Sequence, residues 1–553
     1  MKSRIIKLLL PFLSFVILLF LPLIKSIRFE KKYFLFGNIP YFLIITLSFS
    51  LFISWIILFY NKNIKDINTD KPIFVVVLLY FLVFSILSIL KHISFFSTGY
   101  DLGYYNQGMW GLINGILATS VGEAPLFGYH LEPILFLIAP FYLIYPSPIT
   151  LVIIQTFFIA AAALPLYLLA KEKLKNRLAS LVIAVSYLFY LPLWYANLFD
   201  FHPVVLAIPF IMFAIYFLTR KKYIAFLLSM ILAAASKEHL SLLFIPFGVY
   251  LFIKHKKRAL AIVTAVLGLI WFVFSINVII PYFIQEPFLP SGYYFFGDNP
   301  VLGNSILDVI KSILLDPFLL VRELLAFNRL AYLSLLLIPM GFGVFAVIAP
   351  EFLFLGVTEF LIVLLHNVNT LPEIVYHHQI TLVPFVLSAS VVGILRLTKF
   401  TKNLKFKYVN KKNILYACSV FLLLTSISSN IVYGPFSVLY DLKNFDINND
   451  YVKTGHRVVA MVPPDASIAA PNWIVPHLSE RENIFMLDRF VKKSDYIKIY
   501  GDPEYIILDF SDALNDPKRS AKKVNLDSYN NVLNNPNYGV IYHEGSWVLL
   551  KHN

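Results

Sequence analysis

Four short polar segments interrupt the long apolar runs of this chain, and each contains a carboxylate beside residues able to bind or position a substrate. They read "TGYDLGYYNQGMW" at 98–110, "YHLEP" at 129–133, "FDFHP" at 199–203 and "SKEHL" at 236–240. Ionisable side chains at membrane depth are costly to bury, so they mark functional sites by default. The chemistry open to them is proton transfer by a carboxylate, binding of a metal or a sugar, and binding of a phosphate by lysine.

Asp101 is the candidate catalytic residue of the first segment, with Tyr104 and Gln107 as candidate residues for binding the donor or the acceptor. A carboxylate that is partly desolvated at a membrane boundary can act as a general base on an incoming hydroxyl. The alternative is structural: if a helix begins at Leu102, Asp101 caps it by accepting a hydrogen bond from a free amide. The sequence leaves both alternatives open.

Two pairs, His130 with Glu132 and Asp200 with His202, each place a carboxylate and an imidazole two residues apart. In an extended chain, such residues share one face. Two pairs that face each other could hold a divalent metal cation, because carboxylate and imidazole suit several metals. Neither spacing is a metal signature by itself, so each pair could equally form a cap or an interface hydrogen bond. No other cofactor is expected.

The fourth segment offers a cation for a phosphate. Lys237 could bind the phosphate while Glu238 holds the ammonium group in place, or the two neighbours could simply neutralise each other. The weaker candidates for binding the donor or the acceptor are Arg322, Arg329, His377 and His378.

The elements that position these residues are apolar segments of membrane-spanning length. The chain has 553 residues, of which 59% are hydrophobic and 14% charged, whereas a soluble protein has about 25% charged residues. About 20 apolar residues cross the hydrocarbon core as a helix. The pattern predicts an α-helical polytopic membrane protein with about thirteen transmembrane helices, near 5–24, 39–60, 72–91, 148–170, 178–196, 203–219, 223–236, 240–253, 259–281, 329–348, 349–366, 377–396 and 413–432.

The net charge of +14 is interpreted as a determinant of membrane topology and not as a sign of nucleic-acid binding, because the basic residues cluster in short segments between apolar runs. The apolar run 131–145 is bounded by prolines and is barely long enough to span, so we expect an in-plane or re-entrant helix. With that choice the basic segments 171–177, 220–222, 254–258 and 396–412 face the cytoplasm together with the N-terminus. We therefore expect a multi-pass protein of the plasma membrane, in the cell envelope.

The chain divides into a transmembrane domain, 1–436, and an extracytoplasmic α/β domain, 437–553. The first contains two long outer loops, 92–147 and 282–328. In the second, "YGVIYHEGSWVLLKH" predicts a terminal hairpin that turns at Glu544 and Gly545. This topology collects all four polar segments at the outer face.

The four segments, in this order and with "HLEPILFLIAPFYLIYPSPITLVIIQ" between them, resemble a family of uncharacterised polytopic membrane proteins related to GT-C-type membrane glycosyltransferases. The likeness covers nearly the whole chain. The layout is similar to that of lipid A aminoarabinose transferases and protein O-mannosyltransferases. In those transferases an acidic residue lies just past a span, and Asp101 matches it. Glu132 is similar to the acidic residue that precedes an in-plane helix, and Asp200 is similar to the one at the outer end of a later span.

The resemblance implies a GT-C-like fold and transfer of a hexosyl or pentosyl group from a polyprenyl-phosphate-type lipid donor to a glycan, lipid or protein acceptor. Asp101 would act as general base and the anomeric configuration would invert. Lys237 would stabilise the departing phosphate, with Arg322 or Arg329 as alternatives, and the histidine–carboxylate pairs would bind a metal or sugar hydroxyls.

Two other functions are compatible with a protein of many transmembrane spans. A transporter or flippase of a lipid-linked or polar substrate predicts repeated halves with interrupted helices, which the sequence does not display. A non-catalytic membrane scaffold explains an unpaired Asp101, but it does not explain four polar segments on one face.

Overall fold

The computed structural model of the chain describes residues 39–60, 64–122, 124–284, 306–365, 374–403, 411–487, 502–511 and 526–553. The predicted span 5–24 and the middle of the predicted outer loop 282–328 lie outside these ranges.

Long apolar segments form helices, as predicted, because a helix satisfies its own backbone where water is absent. Five stretches in the described part of the chain are long and apolar enough to cross a membrane, or six if one bent pair counts as a span. They are Lys71–Ile93, Pro148–Leu174, Arg258–Ile284, His378–Thr401 and Lys411–Ser437. The predicted count of thirteen is therefore met only in part.

The α-helices of the described residues are numbered here in chain order. They are α1 (Ile39–Tyr60), α2 (Lys71–Ile93), α3 (Tyr104–Ile113), α4 (Ile134–Ile144), α5 (Pro148–Ala161), α6 (Ala163–Leu174), α7 (Arg177–Leu188), α8 (Leu191–Leu198), α9 (Ala207–Thr219), α10 (Tyr223–Ala234), α11 (Phe244–Lys254), α12 (Arg258–Phe274), α13 (Ile280–Ile284), α14 (Ile306–Leu315), α15 (Pro317–Leu324), α16 (Phe327–Leu337), α17 (Val344–Val347), α18 (Pro350–Phe354), α19 (Val357–Leu365), α20 (Val383–Asn403), α21 (Lys411–Tyr433), α22 (Pro435–Val438), α23 (Asp450–Ala460) and α24 (Leu526–Leu533).

Several predicted spans are shorter or broken because proline and one-turn helices interrupt them. The predicted span 178–196 is a pair, α7 and α8, bent by 45° where Pro192 opens the second helix. A proline cannot donate the backbone hydrogen bond that would continue α7. The 3₁₀ turns Pro203–Leu206 and Glu238–Leu243 likewise precede α9 and α11. These irregular turns carry two of the polar segments.

Helix α4 occupies the segment that was predicted not to cross. It has 11 residues, about 16 Å of helix, which is roughly half of the hydrocarbon core. Its outward side is apolar, with Phe141 and Ile144 largely exposed. Such a helix fits an in-plane position, where an apolar face enters the lipid.

A five-stranded sheet forms the C-terminal domain (437–553), in the order β2-β1-β3-β5-β4. Its strands are β1 (Ile468–Ala470), β2 (Ile484–Met486), β3 (Tyr505–Asp509), β4 (Tyr538–Glu544) and β5 (Trp547–His552). Strands β2, β1 and β3 are parallel, and β3, β5 and β4 are antiparallel. The predicted terminal hairpin is present, and Gly545 supplies the positive φ of 60° at its turn.

The hydrophobic core of the C-terminal domain continues into the first outer loop. Buried Leu102 and Met109 belong to the same apolar cluster as Trp473, Ile506 and Leu549. The helices of the membrane part form a second cluster. The sheet and the polar segment that carries Asp101 therefore fold against one another as one packed unit.

Candidate active site

Asp101 lies in a single π-helical turn, Gly99–Gly103. The C-terminal domain contacts this turn. The backbone N–H of Gly99 donates to the Asn472 side-chain oxygen (2.8 Å), and that of Tyr100 donates to the same atom (3.3 Å). A Cβ on Gly103 would come within 2.9 Å of Val475. The glycines of this segment thus permit the close approach that places Asp101 beneath the domain.

The carboxylate of Asp101 pairs with His202, and its side chain is 27% exposed. Nε2 of His202 lies 3.1 Å from Asp101 Oδ1, and Nδ1 lies 3.0 Å from the backbone carbonyl oxygen of Asp200. A carbonyl oxygen only accepts, so Nδ1 donates to it, and an ionised carboxylate also only accepts. The other ring nitrogen, Nε2, therefore faces the Asp101 carboxylate at ion-pair distance.

Asp200 holds this turn to the end of helix α2. Its Oδ1 lies 2.6 Å from the Lys91 ammonium nitrogen. Its Oδ2 accepts from the backbone N–H of Thr98 (2.7 Å) and from the Thr98 hydroxyl (2.6 Å). Both charged side chains are about 95% buried. Asp200 is thus fully engaged in positioning the turn before Asp101.

Glu132 and Glu238 form a second carboxylate group beside the first. Tyr105 donates to Glu132 Oε1 (3.0 Å), and the Tyr105 ring contacts the ring of His202, with 5.8 Å between centroids. Glu238 accepts from His130 (3.0 Å) and from the backbone N–H of Leu131 (3.0 Å). Tyr105 therefore connects the Asp101–His202 pair to this second group.

Burial sets the protonation of the second group. It raises the pKa of Glu132 to about 8, an effect that nearby Lys237 reduces. Burial and the Lys237 charge lower the pKa of His130 to about 4. Burial acts to raise the pKa of Glu238, but His130 and Lys237 outweigh it and the net pKa is lowered. At neutral pH, Glu132 is protonated, His130 is neutral and Glu238 is a carboxylate.

A small polar cavity adjoins the pair through the stacked rings of His202 and His377, whose centroids are 3.5 Å apart. Its lining consists of Val204, Lys237, His239, Glu359, Ile362, Val363, His377, His378 and Thr381. Among the described residues, the buried polar atoms of this lining that lack a hydrogen-bond partner include Glu359 Oε1, His377 Nδ1 and Thr381 Oγ1. Buried polar groups are normally satisfied, and the cavity, about 20 Å³ in volume, has room for about one water molecule.

The residues predicted to hold a metal do not form one group. His130 pairs with Glu238, and Asp200 pairs with Lys91. Within the described ranges, no three histidine, cysteine or acidic side chains lie close enough to hold a metal ion. The donor set therefore does not fit the metal site that the sequence suggested, and no chemistry below depends on a metal.

Two residues predicted to bind substrate, Gln107 and Tyr104, form hydrogen bonds within the protein. The Gln107 amide donates to the backbone carbonyls of Arg481 and Glu482 and accepts from the N–H groups of Ser120 and Val121. The Tyr104 hydroxyl donates to the carbonyl of Pro125, 3.1 Å away. An amide is suited to this task because it both donates and accepts.

The two predicted arginines form ion pairs within their own segment. Arg322 pairs with Asp316, and Arg329 pairs with Glu323. Neither lines the polar cavity. The lining includes one lysine, Lys237, and three histidines, His239, His377 and His378.

The sequence reading missed Lys91, Thr98, Tyr105, Glu359 and Asn472. Two signals in the sequence could have found some of them. Lys91 and Glu359 are charges within or beside long apolar runs, where an unpaired charge is costly. The contacts of Thr98 and Asn472 depend on distant parts of the chain and leave no local pattern.

Residues 91–549 match the model of a family described as "Predicted membrane protein (DUF2079)". No curated protein sequence matches the chain. The chain is similar to the structure of ArnT from Cupriavidus metallidurans bound to undecaprenyl phosphate, with 12% identity and a TM-score of 0.49 over 87% of this chain and 98% of that one. The apo state of the same protein gives 10% identity and a TM-score of 0.47 over 85% and 97%.

A third similar structure is the oligosaccharyltransferase of Archaeoglobus fulgidus in the apo form, with 12% identity and a TM-score of 0.38 over 84% of this chain and 73% of that one. The predicted resemblance to a family of uncharacterised polytopic membrane proteins is confirmed. At identities of 12% or less and TM-scores below 0.5, the likenesses say nothing about activity.

Proposed function

The chain belongs to the family of predicted membrane proteins DUF2079, and we propose that it is a membrane glycosyltransferase. The donor is a sugar on a polyprenyl phosphate, and the acceptor is a hydroxyl compound at the outer membrane face. The observation that carries this proposal is the partly exposed Asp101–His202 pair beside a buried cavity that contains a lysine and unsatisfied polar atoms. The Asp101–His202 pair suits proton removal, and the lysine beside the cavity suits binding of a phosphate.

The first step assigned to the pair is removal of the acceptor's proton. Asp101 is the base in this proposal, and His202 positions its carboxylate, because the Asp200 carbonyl fixes the imidazole ring through Nδ1 and Nε2 faces Asp101. The exposed part of Asp101 is the part that an acceptor hydroxyl reaches.

The second step is a single displacement. The acceptor oxygen forms a bond to the anomeric carbon, and the bond from that carbon to the phosphate oxygen breaks. The bonding electrons leave with the lipid phosphate, and the proton stays on Asp101. One displacement inverts the anomeric configuration.

The charge that develops on the departing phosphate needs cations in a dry site, where they act strongly. Lys237 is the charged side chain that borders the small cavity, together with the imidazoles of His239 and His378. The cavity itself is about 20 Å³, room for about one water molecule, so the phosphate would bind beside it and not within it. The ring of His377 stacks on that of His202.

The test uses the purified full-length protein with polyprenyl-phosphate-linked mannose, glucose and arabinose as probes, measuring release of polyprenyl phosphate. We expect Asp101→Asn to lower release by about 10²–10⁴-fold, while binding of undecaprenyl phosphate persists. Lys237→Met should weaken that binding. The matched control is Asp316→Asn, which alters a carboxylate, distant in the chain from the Asp101 segment, that pairs with Arg322 and caps α15.

Two results would overturn the proposal. One is a wild-type protein that binds no undecaprenyl phosphate. The other is an Asp101→Asn variant that releases polyprenyl phosphate as fast as the Asp316→Asn control.

A further inference from the structure

A second polar pocket lies at the opposite end of helix α2 from Asp101. It has a volume of about 370 Å³, within the range of about 300–1,000 Å³ usual for ligand sites. We call it the basal pocket; its lining is Asp66, Leu168, Lys171, Glu172, Lys175, Asn176, Arg177, Tyr216 and Arg220.

Helix α2 fixes the separation of the two sites. Lys91, near the end of α2, contacts Asp200 of the candidate active site, and Asp70, just before its start, contacts Lys171 and Arg177 of the basal pocket. The helix has 23 residues, about 34 Å at 1.5 Å per residue. That length matches the hydrocarbon thickness of a bilayer, so the basal pocket lies at the other membrane boundary.

The basal pocket has more positive than negative charge. Arg220 pairs with Glu172 at 3.2 Å, and Lys171 and Arg177 share Asp70. The remaining acid, Asp66, accepts from the backbone N–H groups that open α7, at 3.1 and 2.7 Å. Four cationic side chains thus lie near three carboxylates. One of these carboxylates, Asp66, already accepts hydrogen bonds at a helix terminus.

Lys175 supplies the surplus charge. It follows α6 in the left-handed conformation, with φ of 55°, and its ammonium group forms no ion pair or hydrogen bond with the described residues. The walls beside it include the apolar surfaces of Leu168 and Tyr216. A cationic pocket with apolar walls at the end of membrane-spanning helices matches a ligand that carries both a phosphate and a hydrocarbon tail.

We propose that the basal pocket binds the phosphate headgroup of an anionic phospholipid. The cations contact the phosphate diester, and the glycerol and upper acyl chain lie against the apolar wall. Basic pockets between membrane helices are suited to such headgroups. The proposal is independent of the transferase activity, because no residue of the basal pocket belongs to the Asp101 site.

The experiment measures lipid binding to the purified full-length protein by native mass spectrometry, with added phosphatidylglycerol and, separately, phosphatidylcholine. We expect preferential retention of phosphatidylglycerol and a loss of about fivefold in its affinity in Lys175→Gln, since one cation near a membrane surface contributes on that scale. The control is Lys256→Gln, which removes an exposed lysine that also has a positive φ but does not line the pocket.

A second arm separates the two sources of phosphate. Inorganic phosphate at millimolar concentration should leave phosphatidylglycerol retention unchanged, because it lacks the acyl contact. Three outcomes overturn the proposal: equal retention of the two lipids, equal losses in Lys175→Gln and Lys256→Gln, or full displacement by inorganic phosphate. Thermal unfolding of both variants verifies that they are folded.

Discussion

The buried pair of Lys91 and Asp200 is the residue-scale foundation of the candidate site. An ion pair away from water contributes little net stability, yet removal of one partner leaves an uncompensated charge. Asp200 has, in addition, two hydrogen bonds from Thr98, which lies three residues before Asp101. Any change at Lys91 therefore affects both stability and the position of the proposed base.

Replacement of Lys91 by methionine should destabilise the protein by about 3–5 kcal/mol, because it leaves the Asp200 carboxylate buried without a cation. Thermal unfolding in detergent measures the effect. The double variant Lys91→Met/Asp200→Asn serves as the control and should recover part of the loss, since the unpaired charge is then gone. A single variant as stable as the wild type would contradict the ion pair's role.

Glu132 predicts a pH dependence of stability. Its pKa is raised from 4.5 to about 8 in the folded protein, so the folded state binds a proton that the unfolded state has already released. Stability from this group is therefore present below pH 4.5 and is lost as the pH rises towards 8. Glu132→Gln has no carboxyl group to titrate at this position and therefore does not lose this stability. Its unfolding temperature, relative to that of the wild type, should rise between pH 5 and pH 8. A difference independent of pH would contradict the assignment.

At this scale the sequence did not predict which polar side chains contact each other. It singled out His130 and Glu238, but it paired His130 with Glu132, whereas His130 contacts Glu238, 108 residues away. Spacing along a chain reports local faces, while a helical membrane protein joins side chains from separate helices. Gln107 shows the same limit, because its amide contacts residues about 375 positions away.

At the scale of elements, the π-helical turn around Asp101 and the loop around Val475 are fitted to each other. A Cβ on Gly103 would meet Val475 Cγ1 at 2.9 Å, and the next nearest atoms are those of the Pro476 backbone, at 3.6 and 3.8 Å. The nearest obstacle to a side chain at Gly103 is thus one removable methyl group. This permits a test of the contact between the C-terminal domain and the Asp101 turn.

Gly103→Ala should destabilise the protein by about 1–3 kcal/mol, the usual effect of overpacking. Val475→Ala removes the Cγ1 methyl group, so in the double variant the two effects should be non-additive, with part of the loss recovered. Thermal unfolding measures stability, and limited proteolysis of the C-terminal domain reports its detachment. Strict additivity of the two substitutions would refute the contact.

Elements with simple patterns were predicted well. The terminal hairpin has alternating β residues around Glu544 and Gly545, and the short helix α4 is bounded by prolines. The broken helices were predicted less well, because hydropathy measures apolar length and not direction. The 45° bend between α7 and α8 leaves mean hydropathy unchanged.

At the scale of the whole molecule, the two polar sites lie at opposite ends of α2, and the C-terminal domain lies at the Asp101 end. His456 of this domain contacts the backbone carbonyl of Ile93, at the end of α2. Cys418 is the single cysteine of the sequence and is buried. An introduced cysteine can therefore be labelled selectively.

Asn448→Cys, in the C-terminal domain, should react with a membrane-impermeant maleimide in intact cells, because we expect this domain outside. Lys256→Cys, at the other membrane boundary, should react only after the cells are permeabilised. Both positions are exposed, and the unaltered chain, with Cys418 buried, is the background control. The reverse labelling pattern would invert the topology that the basic segments predict.

The hydrogen bonds from Gly99 to Asn472 join residues 373 positions apart. During biosynthesis, the ribosome delivers the carboxylate of Asp101 to the membrane long before it delivers the segment that frames it. The contact therefore forms late in synthesis, as long-range contacts do. A polypeptide truncated before Asn472 lacks the hydrogen bonds that hold the turn around Asp101.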